Sequence, residues 1–545
     1  MTRLSFAFSL IAVFLPLKAV AGPPAASSVV SALPAANSHE ADAAGANTGN
    51  ASDVTVAAPG LLSALDLANQ AGKNKVALNM MWMLLTGFMV MFMSAGFALV
   101  ETGFTRAKNA CHTMSMNLLI YPVAVIAFYY VGFGIMFGGL GPLATLGGYA
   151  GLNHEAGITL FGKTFGLAGW HGFGLGRSYD VGLFTLFLFQ LVFMDAAVTI
   201  PTGAMAERWK FSSFFAYGWF IAAFVYPLYG NWVWGGGWLS ALGTNFHLGH
   251  GHVDFAGSSV VHMTGGVMAL VGAWLLGPRV GKYDEDGNPN VIPGHNIPMA
   301  VLGTFVLAFG WFGFNPGSTL AGTDLRIAIV AVNTLLASAS GAVVATLWMW
   351  LVRSNKPDPG MMCNGMLAGL VAITAPCAYV GPGSALLIGL VSGVLVVEAA
   401  FFVERTLKID DPVGAIAVHG ANGLWGCLAL GLFADGTYGD GLNGVAGGVK
   451  GLLYGDGGQL AAQFIGVATD FIFIGLASLV IFKALDLLIG NRVDRETEIK
   501  GLDIPEMGIE AYPGFDTWLT EFGLVNPADG QSDEQKEAAV AGDKA

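Results

Sequence analysis

From about Asn79 onward, long uncharged apolar runs alternate with short polar connectors. About eleven runs are of helical length, centred near residues 90, 126, 193, 222, 266, 307, 338, 371, 393, 422 and 474. A helix rises about 1.5 Å per residue, so roughly 20 apolar residues cross a hydrocarbon core about 30 Å thick. The pattern predicts an all-α integral membrane protein with about eleven transmembrane helices. Before these runs the pattern changes. Residues 1–21 have the form of a signal peptide: Arg3, an apolar Leu4 to Leu17, then Ala19-Val-Ala21. The alternative is an uncleaved anchor. Residues 22–75 are rich in Ala, Ser, Gly and Asn without sustained period and are expected to be a flexible extracytoplasmic tail. Residues 76–490 then form the membrane domain and 491–545 a charged tail.

The basic positions between the runs set an orientation. Arg106 and Lys108 follow the first run, Arg208 and Lys210 the third, Arg279 and Lys282 the fifth. Arg353 and Lys356 follow the seventh, Arg405 and Lys408 the ninth, and Arg492, Arg495 and Lys500 the eleventh. The opposite connectors carry only Lys163, Arg177, Arg326 and Lys450. Basic residues collect on the cytoplasmic side. The expected topology therefore has an extracytoplasmic amino terminus, a cytoplasmic carboxyl terminus and a cell (inner) membrane location. Residues 139–180 and 434–458 become Gly-rich outer loops.

One motif recurs across this topology. Asp254-Phe-Ala-Gly-Ser-Ser-Val-Val-His262-Met-Thr-Gly-Gly266 returns as Asp411-Pro-Val-Gly-Ala-Ile-Ala-Val-His419-Gly-Ala-Asn-Gly423. The first enters the fifth run from outside and the second enters the tenth from inside. Two inverted five-helix repeats plus a final long helix are expected, a plan common in transport folds with the site near mid-membrane. Each imidazole lies about 12 Å along its helix from the Asp. An ionisable group that deep in lipid usually faces a cavity or a partner, so His262 and His419 are expected to meet.

Composition narrows the function. The chain is 54% hydrophobic and 11% charged, with a net charge of −13, which gives no footprint for nucleic acid. Cys111, Cys363, Cys377 and Cys427 have no paired spacing for a disulfide framework or zinc site. His247, His250 and His252 have a spacing that could hold a metal, but their Gly-rich context argues against a preformed site. No strand–glycine–helix phosphate loop is present, and no cofactor is expected.

The stretch from Asp254 to Arg279 resembles the signature of the ammonium transporter, methylammonium permease and Rhesus family. So do Gly203-Ala-Met-Ala-Glu-Arg208, Trp234-Gly-Gly-Gly237, Trp311-Phe-Gly-Phe-Asn-Pro-Gly-Ser318, Asp411-Pro412 with Val418-His-Gly420, and Gly501-Leu-Asp503. The resemblance runs from roughly residue 79 to 512 and is closer to the ammonium transporter branch. It implies a non-enzymatic conductor of ammonium and ammonia, with methylammonium as analogue, held as a homotrimer in membrane lipid. It implies that His262 and His419 line the pore and that Trp234 and Ser318 recruit the cation, with Phe193. Phe193 and Phe314 correspond to stacked rings closing the outer mouth, and Phe189 stands one turn away. Asp254 corresponds to a buried acidic residue that supports the outer site. Asp411 is expected to cap the inner repeat helix.

Each assignment has a plainer alternative: a packed core histidine, an interfacial tryptophan, a lipid-facing phenylalanine, a simple helix cap. Two features depart from the family. Asp195 stands where relatives often have a small neutral residue, and a structural hydrogen bond is its expected role. The tail reads Met507-Gly-Ile-Glu510-Ala-Tyr512, where relatives often carry His-Gly-Glu, which weakens the expectation of a PII-type signalling partner. The rival reading is an ammonium sensor with a vestigial pore, signalling through its tail.

Overall fold

The computed structural model describes residues 64–141, 143–147, 152–176 and 180–513. The expected signal segment 1–21, most of the tail 22–75 and residues 514–545 lie outside the described residues. Ten described helices are long and apolar enough to cross a membrane: Leu67–Phe104, Ala107–Phe137, Val181–Met205, Phe211–Trp234, Ser258–Leu276, Ile297–Gly317, Ile327–Arg353, Pro382–Thr406, Ile416–Phe433 and Gly457–Ile489. The shorter Pro359–Ile373 completes the eleven expected positions. These are called the first to eleventh spans in chain order.

Three details differ from the sequence expectation. The first helix starts at Ala64, so residues 64–75 are helical and run straight into the first span. A formed helix propagates back cheaply through Leu, Ala, Gln and Lys. The eighth run is centred near residue 371, but its helix stops at Ile373. Pro376 forbids its continuation, and the buried residues after it form an irregular turn. The loop 139–180 contains a hairpin, β1 (Glu155–Leu160) paired antiparallel with β2 (Lys163–Gly169). It is anchored on the end of the fourth span: Trp238 N–H donates to Gly166 O at 3.0 Å and Trp232 Nε1 to Leu167 O at 2.9 Å.

The opposite face gathers the basic residues and the tail. Arg279 bridges Glu207 at 2.9 Å and Asp410 at 2.8 Å, Arg106 pairs with Glu207, and Arg208 Nη2 donates to Asp410 O at 2.7 Å. Burial alone would push the Asp410 carboxyl up; Arg208 and Arg279 outweigh it and hold that carboxyl well below the usual range. The tail is tied to the same face. Asp503 accepts the Cys111 and His112 N–H groups at 3.0 and 2.8 Å, capping the helix that starts at Ala110. Glu498 pairs with Arg492 at 2.7 Å.

Candidate functional site

The two repeat helices begin alike. The Asp254 carboxylate accepts the N–H groups of Gly257 and Ser258 at 2.9 Å, Ser259 at 2.7 Å and Val260 at 3.0 Å. These are the donors a helix start leaves without intrahelical partners. Gly257 makes the entry with φ at +121°, a region open to glycine. Asp411 does the same in the tenth span, accepting Gly414 N–H at 2.9 Å and Ile416 N–H at 2.8 Å. Each histidine then sits on a widened, π-helical turn, Ser258–Met263 and Ile416–Ala421. His262 N–H reaches five residues back to Gly257 O at 3.0 Å. Such turns often mark functional positions because they re-aim side chains.

The start of each repeat helix packs on the continuation of the other, as oppositely threaded helices must. They cross at glycines: a Cβ on Gly266 would lie 2.2 Å from Gly420 N. This close approach brings His262 Nδ1 to 3.2 Å from His419 Nδ1, with ring centroids 5.3 Å apart and planes at 25°. One nitrogen must donate and the other accept, so the contact requires an unprotonated Nδ1 on one ring. His262 also stacks on Trp311 at 5.0 Å and Phe314 at 5.4 Å, while Phe97 lies 6.1 Å from His419. His262 Nε2 is buried without a hydrogen-bond partner.

Toward the hairpin face, Phe193 and Phe314 lie 4.1 Å apart, with 1% and 0% exposure, and Phe314 also packs on His262. Phe189 stands 4.8 Å from Phe193, and Trp234 meets Phe193 edge-on at 6.2 Å. The indole is fixed by Trp234 Nε1 donating to Asp254 O at 2.6 Å. Ser318 Oγ donates to Phe314 O at 2.8 Å, so its lone pairs stay available as acceptors. Trp234, Asp254, Phe255 and Ser318 line a cavity of about 650 Å³. A smaller space of about 140 Å³ continues it to Phe189, Gln190 and Phe193. The sequence-predicted residues therefore converge, from cavity to ring pair to histidine pair.

Some residues of this arrangement were not singled out in the sequence. Trp311, a member of the quoted motif, is held by its Nε1 on Thr374 Oγ1 at 2.9 Å and forms the wall behind His262. Gln190 lines the smaller space with a buried Oε1 that has no partner, and only its position as a lone polar residue in an apolar run signals it. Asp195 is buried and accepts a hydrogen bond from Ser94 Oγ at 2.8 Å. The three outer histidines go separate ways, and His247 turns the chain with φ at +58°. His250 Nε2 contacts Gly447 O at 2.8 Å, and His252 Nε2 contacts Ser259 Oγ at 2.9 Å. Burial pushes the His252 imidazole down to about 4. Among the described residues no group of three or more His, Cys, Asp or Glu side chains is placed to hold a metal.

The family model described as Ammonium Transporter Family matches residues 81–512. The chain belongs to the ammonium transporter family. It is 47% identical over 454 residues to "Ammonium transporter Amt2" of Archaeoglobus fulgidus, covering 83% of this chain and 92% of that one. It is 35% identical over 430 residues to "Ammonium transporter Amt1" of Methanocaldococcus jannaschii, covering 78% and 94%. A solved structure described as "Sensor Amt Protein" superposes with a TM-score of 0.69 at 37% identity, over 80% of this chain and 99% of that one. Candida albicans Mep2 superposes at 0.64 with 26% identity, over 77% and 87%. The ammonium transporter match takes in the docked tail as far as Tyr512, which stands 2.8 Å from His295 Nε2.

Proposed function

We propose that the protein passes ammonia across the membrane after ammonium gives its proton to solvent water in the open cavity at the hairpin face. A bare ammonium ion at the bilayer centre costs several kcal/mol, whereas neutral ammonia carries no such penalty. The cation settles over the Trp234 indole, where cation–π attraction contributes about 1–2 kcal/mol when partly desolvated, and gives an N–H bond to Ser318 Oγ. Phe193 and Phe314 admit it by moving apart. The amine then passes His262 and His419 as a neutral molecule, because a cation among these buried rings would be stripped of its water. Potassium has no proton to give up and cannot donate hydrogen bonds, so the same path rejects it. Asp254 acts through the helix start that it holds and through its charge, not as a direct ligand.

The observation that carries this reading is the 3.2 Å contact between imidazoles on oppositely threaded helices, directly beneath a closed pair of phenyl rings. In this reading the hairpin face is extracytoplasmic and the tail face cytoplasmic, in keeping with the basic residues gathered at the latter. The exposed apolar side chains Phe305, Phe464, Val480 and Leu487 support contact with lipid or with sister subunits of a homotrimer. A PII-type regulator would meet the docked tail, where Met507-Gly-Ile-Glu510 stands in place of the His-Gly-Glu that relatives often carry. The sensor reading draws its support from the resemblance to the "Sensor Amt Protein" structure, and measured uptake separates the two. His262→Ala should abolish saturable methylammonium uptake or let potassium compete. A variant with the parent's uptake and selectivity removes the histidine pair from the path.

A further inference from the structure

The loop after the tenth span, absent from the sequence reading as anything but a Gly-rich connector, forms one wall of the larger cavity. Thr437 to Asn443 line it opposite Trp234 and Ser318. The loop is pinned in place. Asp435 N–H donates to Tyr379 O at 2.9 Å, Val449 N–H to Tyr438 O at 2.9 Å, and Asn443 Nδ2 to His250 O at 2.8 Å. Gly439 and Gly441, with φ at +90° and +79°, turn the chain on either side of Asp440. That turn sets the carboxylate at the cavity rim. Its Oδ1 accepts Gly447 N–H at 2.6 Å, and the group stays exposed.

Beneath Asp440 the cavity is aromatic. Phe255, Tyr379 and Tyr438 meet at 5.8, 6.4 and 5.7 Å, with interplanar angles of 87°, 73° and 49°. Trp234 supplies a fourth ring to the same space. Tyr438 is held by its hydroxyl, which donates to Asp324 Oδ2 at 2.5 Å, and by Arg326, whose Cζ lies 5.3 Å from the ring centroid. Arg326 is turned to Ala378 O and Thr437 Oγ1 and is not part of the lining. The described lining carries Asp254 and Asp440 and no Lys or Arg. A volume of about 650 Å³ is far more than a bare ammonium needs and takes a hydrated cation.

We propose that Tyr438 and Asp440 make this loop a capture site for hydrated ammonium and methylammonium, which sets affinity before the cation reaches Trp234. Asp440 draws the cation into a cavity whose described lining carries carboxylates and no Lys or Arg, and the rings of Tyr438, Tyr379 and Phe255 replace part of its hydration. This rests on the transport reading above.

The test is methylammonium uptake by cells expressing the full chain with Asp440→Asn, Tyr438→Leu, Tyr438→Phe or Trp234→Leu, at about 0.01 M and about 0.15 M ionic strength. Asp440→Asn should raise the apparent KM about two- to five-fold at low salt and much less at high salt, because screening already weakens the parent there. Tyr438→Leu should raise it about two- to five-fold at both, with maximal rate kept, while Tyr438→Phe, which keeps the ring and loses only its anchor to Asp324, raises it less. The inference is overturned if Asp440→Asn and Tyr438→Leu match the parent while Trp234→Leu does not. It is also overturned if Tyr438→Phe raises KM as far as Tyr438→Leu does, since the anchor to Asp324 and not the ring would then matter. A parent chain with no uptake overturns the transport reading itself.

Discussion

The Trp234 indole is fixed at its nitrogen by the Asp254 carbonyl and lines the cavity. Trp234→Leu should therefore raise the apparent KM for methylammonium about five-fold or more and change maximal flux little. Initial-rate uptake curves check this, and an unchanged KM removes the indole from the site. Asp195 makes a different kind of prediction. Its one bond is to Ser94 Oγ, and Oδ1 has no partner, so the pair behaves as a buried structural contact. Ser94→Ala should cost about 1–3 kcal/mol of stability, read as an earlier melting transition in detergent. At this scale the histidines, Trp234, Ser318 and the phenyl pair were legible, because each sits in a motif or a repeat. Trp311 and Gln190 were not isolated, because stacking and an orphaned amide exist only once helices cross. Tyr438 gave no signal at all, since a loop residue's neighbours come from distant spans.

Helices announce themselves by apolar length, and so the spans were placed from sequence. Their ends were not, because the apolar run after Ile373 is as hydrophobic as a helix and only Pro376 marks the stop. The hairpin escaped because Gly157, Gly166 and Gly169 dilute its alternation, and its turn, Phe161-Gly162, was read as loop. That hairpin carries a pH response. Glu155 is half-buried under Asn231, and burial pushes its carboxyl up to about 6, against the hydrogen bond from Asn231. A raised folded value favours the docked hairpin while the acid is neutral. The contribution is complete below the ordinary value of 4.5 and is lost as pH rises through about 6. Amide exchange across Glu155–Gly169, corrected for intrinsic rate, should show looser protection at pH 7 than at pH 5 in the parent. Glu155→Gln should flatten the difference, and equal pH dependence in both proteins contradicts this origin.

Across the whole molecule, two oppositely threaded halves meet at the histidines, and a buried charge cluster locks the tail face. That plan was visible in the recurrence of Asp-to-His spacing and in the alternation of basic connectors. How the charges pair was not, because Arg279, Glu207 and Asp410 come from three different connectors. Asp410→Asn removes the carboxylate that Arg279 grips and that offsets the neighbouring Arg208 charge, while Arg208 keeps its bond to the main-chain oxygen of residue 410. It should cost about 3–5 kcal/mol and lower the melting temperature in detergent, whereas an unchanged transition means that the cluster is not stabilising. The central claim, that a neutral amine passes along the His262–His419 pair, is tested most directly by methylammonium uptake into proteoliposomes containing the purified chain with potassium in large excess. The account predicts saturable uptake that potassium does not inhibit and that His262→Ala removes or opens to potassium. Uptake no greater than that of empty liposomes contradicts it.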